Sequence, residues 1–103
     1  MSSVEASYHI MIVEDDLSTA EMLSAYFSSL GYQVSHVGWG CDAVKMATDS
    51  EPDLVVLDIH LPDINGYEVC KRLRNHRRTK DTPIIFLTQR RERGDRLTGL
   101  GLG

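Results

Sequence analysis

Three stretches of the chain, Ile10-Met11-Ile12-Val13, Leu54-Val55-Val56-Leu57 and Ile84-Ile85-Phe86-Leu87, contain no polar side chain. A strand with one wet face alternates polar and apolar residues. A short unbroken apolar run suits a strand covered on both faces, as in a parallel sheet flanked by helices. The segments between them carry helical spacing. In residues 17–30, Leu23, Tyr26, Phe27 and Leu30 recur at three and four positions and Gly31 closes the pattern, which predicts an amphipathic helix with its stop signal. Residues 33–37 read as a strand, residues 40–48 as a helix with Ala43, Val44 and Ala47 inward, and Glu51-Pro52 as a turn. Residues 67–74 predict a further helix with Val69, Cys70 and Leu73 on its apolar side. Residues 92–102 predict a weaker one, with Leu97 and Leu100 inward and Gly94, Gly99 and Gly101 lowering its propensity. Strand and helix therefore alternate, and right-handed crossovers turn that alternation into an α/β fold with a parallel sheet and helices on both faces.

The 103 residues, 42% hydrophobic and 25% charged, are enough for one small domain. Residues 1–8 are polar, with Glu5 and no Lys or Arg, and lack the charged start and apolar run of a secretory signal. They are expected to be an N-terminal extension to a domain at 9–103. No run approaches membrane-spanning length, so a cytoplasmic location without membrane contact is expected. Cys41 and Cys70 show no metal-binding spacing and read as free thiols. Charge is uneven: residues 1–70 hold twelve acidic residues against the single basic Lys45, whereas residues 71–103 hold ten basic against three acidic. The run Lys71, Arg72, Arg74, Arg77, Arg78 and Lys80 has no interleaved aromatics to stack on bases, so it reads as a solvated helix end and nucleic-acid contact is not expected of this domain.

Ligands of open parallel sheets gather at the carboxyl ends of the strands. Here those positions hold Glu14, Asp15 and Asp16, then Asp58, then Thr88. Carboxylates converging on one crevice repel each other unless a cation offsets the charge, and hard oxygen donors at this density suit Mg²⁺. A divalent ion beside a carboxylate and a hydroxyl suits phosphoryl transfer, with Asp58 as the in-line nucleophile. Asp16 or Ser18 has a plainer role available as the cap of the following helix. A charged residue ending Leu54-Val55-Val56-Leu57 has little structural purpose. After it, Leu61-Pro62-Asp63-Ile64-Asn65-Gly66 is a turn cluster that opens the next helix.

Taken together, IVEDD, DLVVLDIHLPDINGYE and PIIFLTQ resemble the receiver domain of bacterial two-component response regulators, from His9 to Gly103. The thirty positions from Asp58 to Thr88 match that family's interval between phosphoacceptor and hydroxyl. The resemblance implies a flavodoxin-like sheet of order 2-1-3-4, with the fifth strand, the family's lysine and the last helix falling beyond Gly103. It implies Asp58 as phosphoacceptor, Asp15 as direct Mg²⁺ carboxylate, Glu14 as the acid that holds the metal through water, the His60 backbone carbonyl as a further ligand, and Thr88 as the phosphoryl-contacting hydroxyl. The partner implied is a histidine kinase or phosphotransfer protein. Gln89 departs from the family's small residue there, and His60 and Arg90 lie at variable positions that tune dephosphorylation. With no fifth strand, the fourth-strand edge is expected to pair with a second copy, as a homodimer or a strand-swapped oligomer.

Three other readings compete. A phosphorylation-independent pseudo-receiver would keep the fold and serve as an interaction module. A flavin-mononucleotide binder needs a glycine- and hydroxyl-rich phosphate loop where Glu14-Asp15-Asp16 would repel the ligand. An aspartyl phosphatase needs a second Asp where His60 stands. Trp39 reads as a loop or packing residue, and Met22 and Met46 as fillers of core gaps.

Overall fold

The computed structural model describes residues 8–87. Four strands and three helices alternate: β1 (His9–Val13), α1 (Leu17–Ser29), β2 (Gln33–Val37), α2 (Gly40–Ser50), β3 (Leu54–Asp58), α3 (Gly66–Arg74) and β4 (Ile84–Leu87). The strands form one sheet in the order β2-β1-β3-β4. Every neighbouring pair is parallel: Val13 stands opposite both Val37 and Leu57, and Asp58 stands opposite Leu87. The expected α/β architecture and strand order are therefore observed. The helix expected at 92–102 lies outside the described residues.

Successive strand side chains point to opposite faces, so each unbroken apolar run feeds two cores. Met11, Val13, Val55 and Leu57 pack with Ala43 and Ala47 of α2 and with Val69 and Leu73 of α3. Ile10, Ile12 and Val56 face the other way, against Leu23 and Phe27 of α1. This is why no polar residue interrupts the run from Ile10 to Val13: all four are buried.

The helices start and stop where local chemistry satisfies their backbone ends. Asp16 caps α1, its carboxylate accepting from the Thr19 amide at 3.0 Å and from its hydroxyl at 2.6 Å. Gly31 follows with φ +94°, a left-handed conformation that an L side chain adopts only under strain. Asn65 caps α3 through the Glu68 amide, and Lys71, Arg72 and Arg74 occupy its last turn, where cations meet the negative helix end. Arg74 Nη1 donates to the carbonyls of Thr79, Lys80 and Thr82, and Arg78 pairs with Glu51 at 3.3 Å. Much of the basic run thus serves helix-end and loop contacts within the chain.

Three expectations are corrected. Tyr26 and Leu30 do not join Leu23 and Phe27 inside; they are exposed on the flank of α1, Tyr26 resting edge-on against Phe27. At 100° per residue Tyr26 lies at the edge of the apolar stripe, and Leu30, the C-cap, lies beyond the last helical residue. Met22 also lies outside, 62% exposed, while Met46 does pack against the core. Helix α2 runs on to Ser50, with Thr48 and Ser50 hydroxyls donating to the Val44 and Met46 carbonyls, before Glu51 ends it in a left-handed turn. Among the described residues no helix is long and apolar enough to cross a membrane. Both cysteines are free, Cys41 exposed and Cys70 half-buried.

Candidate functional site

Strands β1 and β3 are adjacent and parallel, so the residues that end them arrive side by side. Glu14 directly follows β1 and Asp58 is the last residue of β3; both side chains are fully buried, and Asp15 lies beside them in contact with solvent. Carboxylate oxygens from Glu14, Asp15 and Asp58 fall within 4.8 Å of one another.

Buried polar contacts hold this cluster in place. Glu14 Oε2 accepts from the Asp16 amide at 2.9 Å, and the Glu14 amide donates to the Val37 carbonyl at 3.0 Å. The Glu14 carbonyl meets His36 Nε2 at 2.7 Å. Glu14 is thereby tied to β2, which fixes its side chain in the crevice. Asp58 Oδ1 accepts from the His60 amide at 3.2 Å, while the imidazole of His60 points away from enclosure and is exposed. Asp16, by contrast, is used as the α1 cap and is not a member of the cluster.

Three negative charges this close are costly where two of them are out of water, and a hard cation with oxygen ligands offsets that cost. The donor set fits Mg²⁺: carboxylates from two strand ends, one at the solvent boundary where the ion can retain waters. A crevice of about 510 Å³, lined by Asp15, Leu17, His36, Gly38, Trp39 and Pro62, opens beside the cluster. Thr88, the expected hydroxyl, lies outside the described residues, one position beyond the end of β4.

Two residues not singled out in the sequence shape the site. Gly66 opens α3 directly against β3: its amide donates to the Ile59 carbonyl at 2.8 Å, and a Cβ there would run into the Asp58 carbonyl oxygen and stand 2.9 Å from the Ile59 Cα. Asp63 reaches from the β3–α3 loop to the start of α2, where its carboxylate accepts from the Gly40 amide at 2.7 Å and the Cys41 amide at 2.8 Å. Desolvation pushes this carboxyl upward, but the amides of Cys41, Gly40 and Ile64 outweigh it and hold the group well below the usual carboxylate range. A sequence signal for Asp63 exists in retrospect: α2 begins after Trp39, which has no group with which to cap it.

Residues 10–103 match the family described as the response regulator receiver domain. The transcriptional regulatory protein GltR of Pseudomonas aeruginosa is 39% identical over 94 residues, which cover 91% of this chain and 39% of the relative. Among solved structures, the receiver domain of a sensor histidine kinase from Pseudomonas aeruginosa superposes with a TM-score of 0.79 at 33% identity, covering 94% of this chain and 80% of that one; it was solved with a magnesium ion coordinated in its active-site cleft. The chemotaxis protein CheY4 of Vibrio cholerae gives a TM-score of 0.77 at 27% identity, covering 94% of this chain and 81% of that one. The chain spans about two fifths of the length of the curated relatives it matches.

Proposed function

The chain belongs to the response regulator receiver domain family of two-component signalling, and from that premise we propose that Asp58 accepts a phosphoryl group from a phosphohistidine of a partner kinase or phosphotransfer protein. The observation that carries this reading is the convergence of Glu14, Asp15 and Asp58 at two adjacent strand ends. Mg²⁺ would be held by the carboxylates of Asp15 and Asp58, with Glu14 acting through water and the His60 backbone carbonyl as a further ligand. When bound, the ion supplies positive charge that stabilises the equatorial phosphoryl oxygens.

The protein's own contribution is placement. Asp58 is fully buried at a strand end, and its Oδ1 accepts from the His60 amide. A carboxylate oxygen of Asp58 attacks phosphorus in line; the O–P bond forms as the N–P bond to the donor imidazole breaks, and the imidazole leaves with its electron pair. Thr88 supplies the hydroxyl that contacts the phosphoryl group in this reading. The description of GltR as a transcriptional regulatory protein supports an output in gene control, with promoter contact assigned to sequence outside this domain.

The test is intact mass measured over time after mixing the chain with Mg²⁺ and a small acyl phosphate, with Asp58→Asn in parallel and the folding of both verified by circular dichroism. A single phosphoryl adduct on the wild type alone is expected. Folded wild-type chain without an adduct would overturn the reading and leave the phosphorylation-independent interaction module in its place.

A further inference from the structure

The carboxylate cluster does not account for the contact between the β3–α3 loop and α2. Trp39 occupies the N-cap position of α2 and makes no side-chain cap, although the first amides of a helix need acceptors. Asp63 provides them, one carboxylate oxygen to each of Gly40 and Cys41. The same interface is closed sterically: a Cβ at Gly40 would stand 2.5 Å from Ile64 Cγ1 and 3.0 Å from Val69 Cγ2. Residues 63 and 64 are thus docked onto the first turn of α2 by two charge-assisted bonds and a backbone-close contact.

The loop so docked is the one that leaves Asp58. Its near end is held by the His60 amide on Asp58 Oδ1 and its far end by the Gly66 amide on the Ile59 carbonyl. Asp63 is the middle anchor, and among the described residues it alone joins the loop to α2 by side-chain hydrogen bonds. Losing it leaves residues 60–65 held at their ends and by the packing of Leu61 and Ile64 on the core, without the hydrogen bonds to α2 and with the His60 backbone less constrained relative to Asp58.

We propose that Asp63 is a positioning residue for the phosphoacceptor site, acting by clamping the β3–α3 loop to the uncapped N-terminus of α2. Its metal readout rests on the Mg²⁺ reading above, and its amide readout does not. The role separates from simple helix capping, because a cap can be restored at the N-cap position of α2 by Trp39→Asp, which leaves the loop unclamped.

Four proteins decide it: wild type, Asp63→Ala, Trp39→Asp, and Trp39→Asp with Asp63→Ala. Each is titrated with Mg²⁺ by calorimetry, and amide exchange at His60 and Gly66 is followed by NMR without metal. In Asp63→Ala the Mg²⁺ dissociation constant is expected to rise about tenfold, as for other residues that orient ligands. Exchange at both amides is expected to accelerate about tenfold through local opening. Because Trp39 lines the crevice beside Asp15, the double variant is read against Trp39→Asp: it is expected to match that variant's thermal midpoint but to bind Mg²⁺ more weakly and exchange both amides faster than it does. Should Asp63→Ala not fold, the double variant compared with Trp39→Asp carries the same test. Unchanged exchange and affinity on removing Asp63, or full recovery of both in the double variant, would overturn the proposal. If no protein binds Mg²⁺ yet both amides exchange faster without Asp63, the clamp stands and the phosphoacceptor reading falls.

Discussion

Gly66, the first residue of α3, lies so close to Asp58 that no side chain fits between the helix start and the Asp58 carbonyl oxygen. The atoms opposing a Cβ are backbone atoms of Asp58 and Ile59, which cannot rotate aside as a side chain can. Gly66→Ala should therefore push α3 away from β3, at a cost of about 1–3 kcal/mol. Urea unfolding measures that loss, and phosphoryl loading at Asp58 should slow in the fraction that stays folded.

Crowding of Glu14, Asp15 and Asp58 should make the metal-free chain less stable than the chain with Mg²⁺ bound. Mg²⁺ at a hundredfold excess over its dissociation constant should add about 2.7 kcal/mol to unfolding, and chelation should remove it. Asp58→Asn keeps an acceptor for the His60 amide but removes one charge. It should raise apo stability by about 1 kcal/mol and abolish most of the Mg²⁺ gain. Thermal melts with Mg²⁺ and with a chelator check both signs.

Acid should weaken the Asp63 clamp in a defined direction. The carboxyl is held below its unfolded value by the amides that bond it, so its contribution is fully present above the unfolded pKa of about 3.9 and is lost as pH falls toward the lower folded value. Unfolding free energy measured from about pH 5 to about pH 3 should fall less steeply in Asp63→Asn than in the wild type.

Thr79 is a control remote from the cluster. Its side chain is fully buried and its hydroxyl donates to the Leu73 carbonyl at 2.7 Å, closing the end of α3. Thr79→Val preserves shape and removes that one bond, while the Leu73 carbonyl keeps the His76 amide at 3.2 Å, so the loss should be about 0.5–1.5 kcal/mol. Chemical denaturation measures the loss, while Mg²⁺ affinity in the folded protein should match the wild type.

Residues themselves determined a good deal. The apolar runs at 10–13, 54–57 and 84–87 specified strands, because an unbroken apolar run has no wet face to offer. Acidic residues at the ends of two such runs specified a carboxylate site, because parallel strands bring their carboxyl ends to one side. Asp16 was legible as a cap for a local reason: its partner is only three residues away. Contacts across elements were not legible in this way. That Tyr26 and Leu30 stay outside while Leu23 and Phe27 go in depends on how much of α1 the sheet can cover. That Gly66 must lack a side chain, and that Asp63 caps a helix begun more than twenty residues earlier, depends on the distance at which α2 and α3 pack beside β3. Local pattern set the elements and their chemistry through short-range hydrogen bonding and periodic burial; only the packing of three elements against one another decided which side chains would have room, and which would meet.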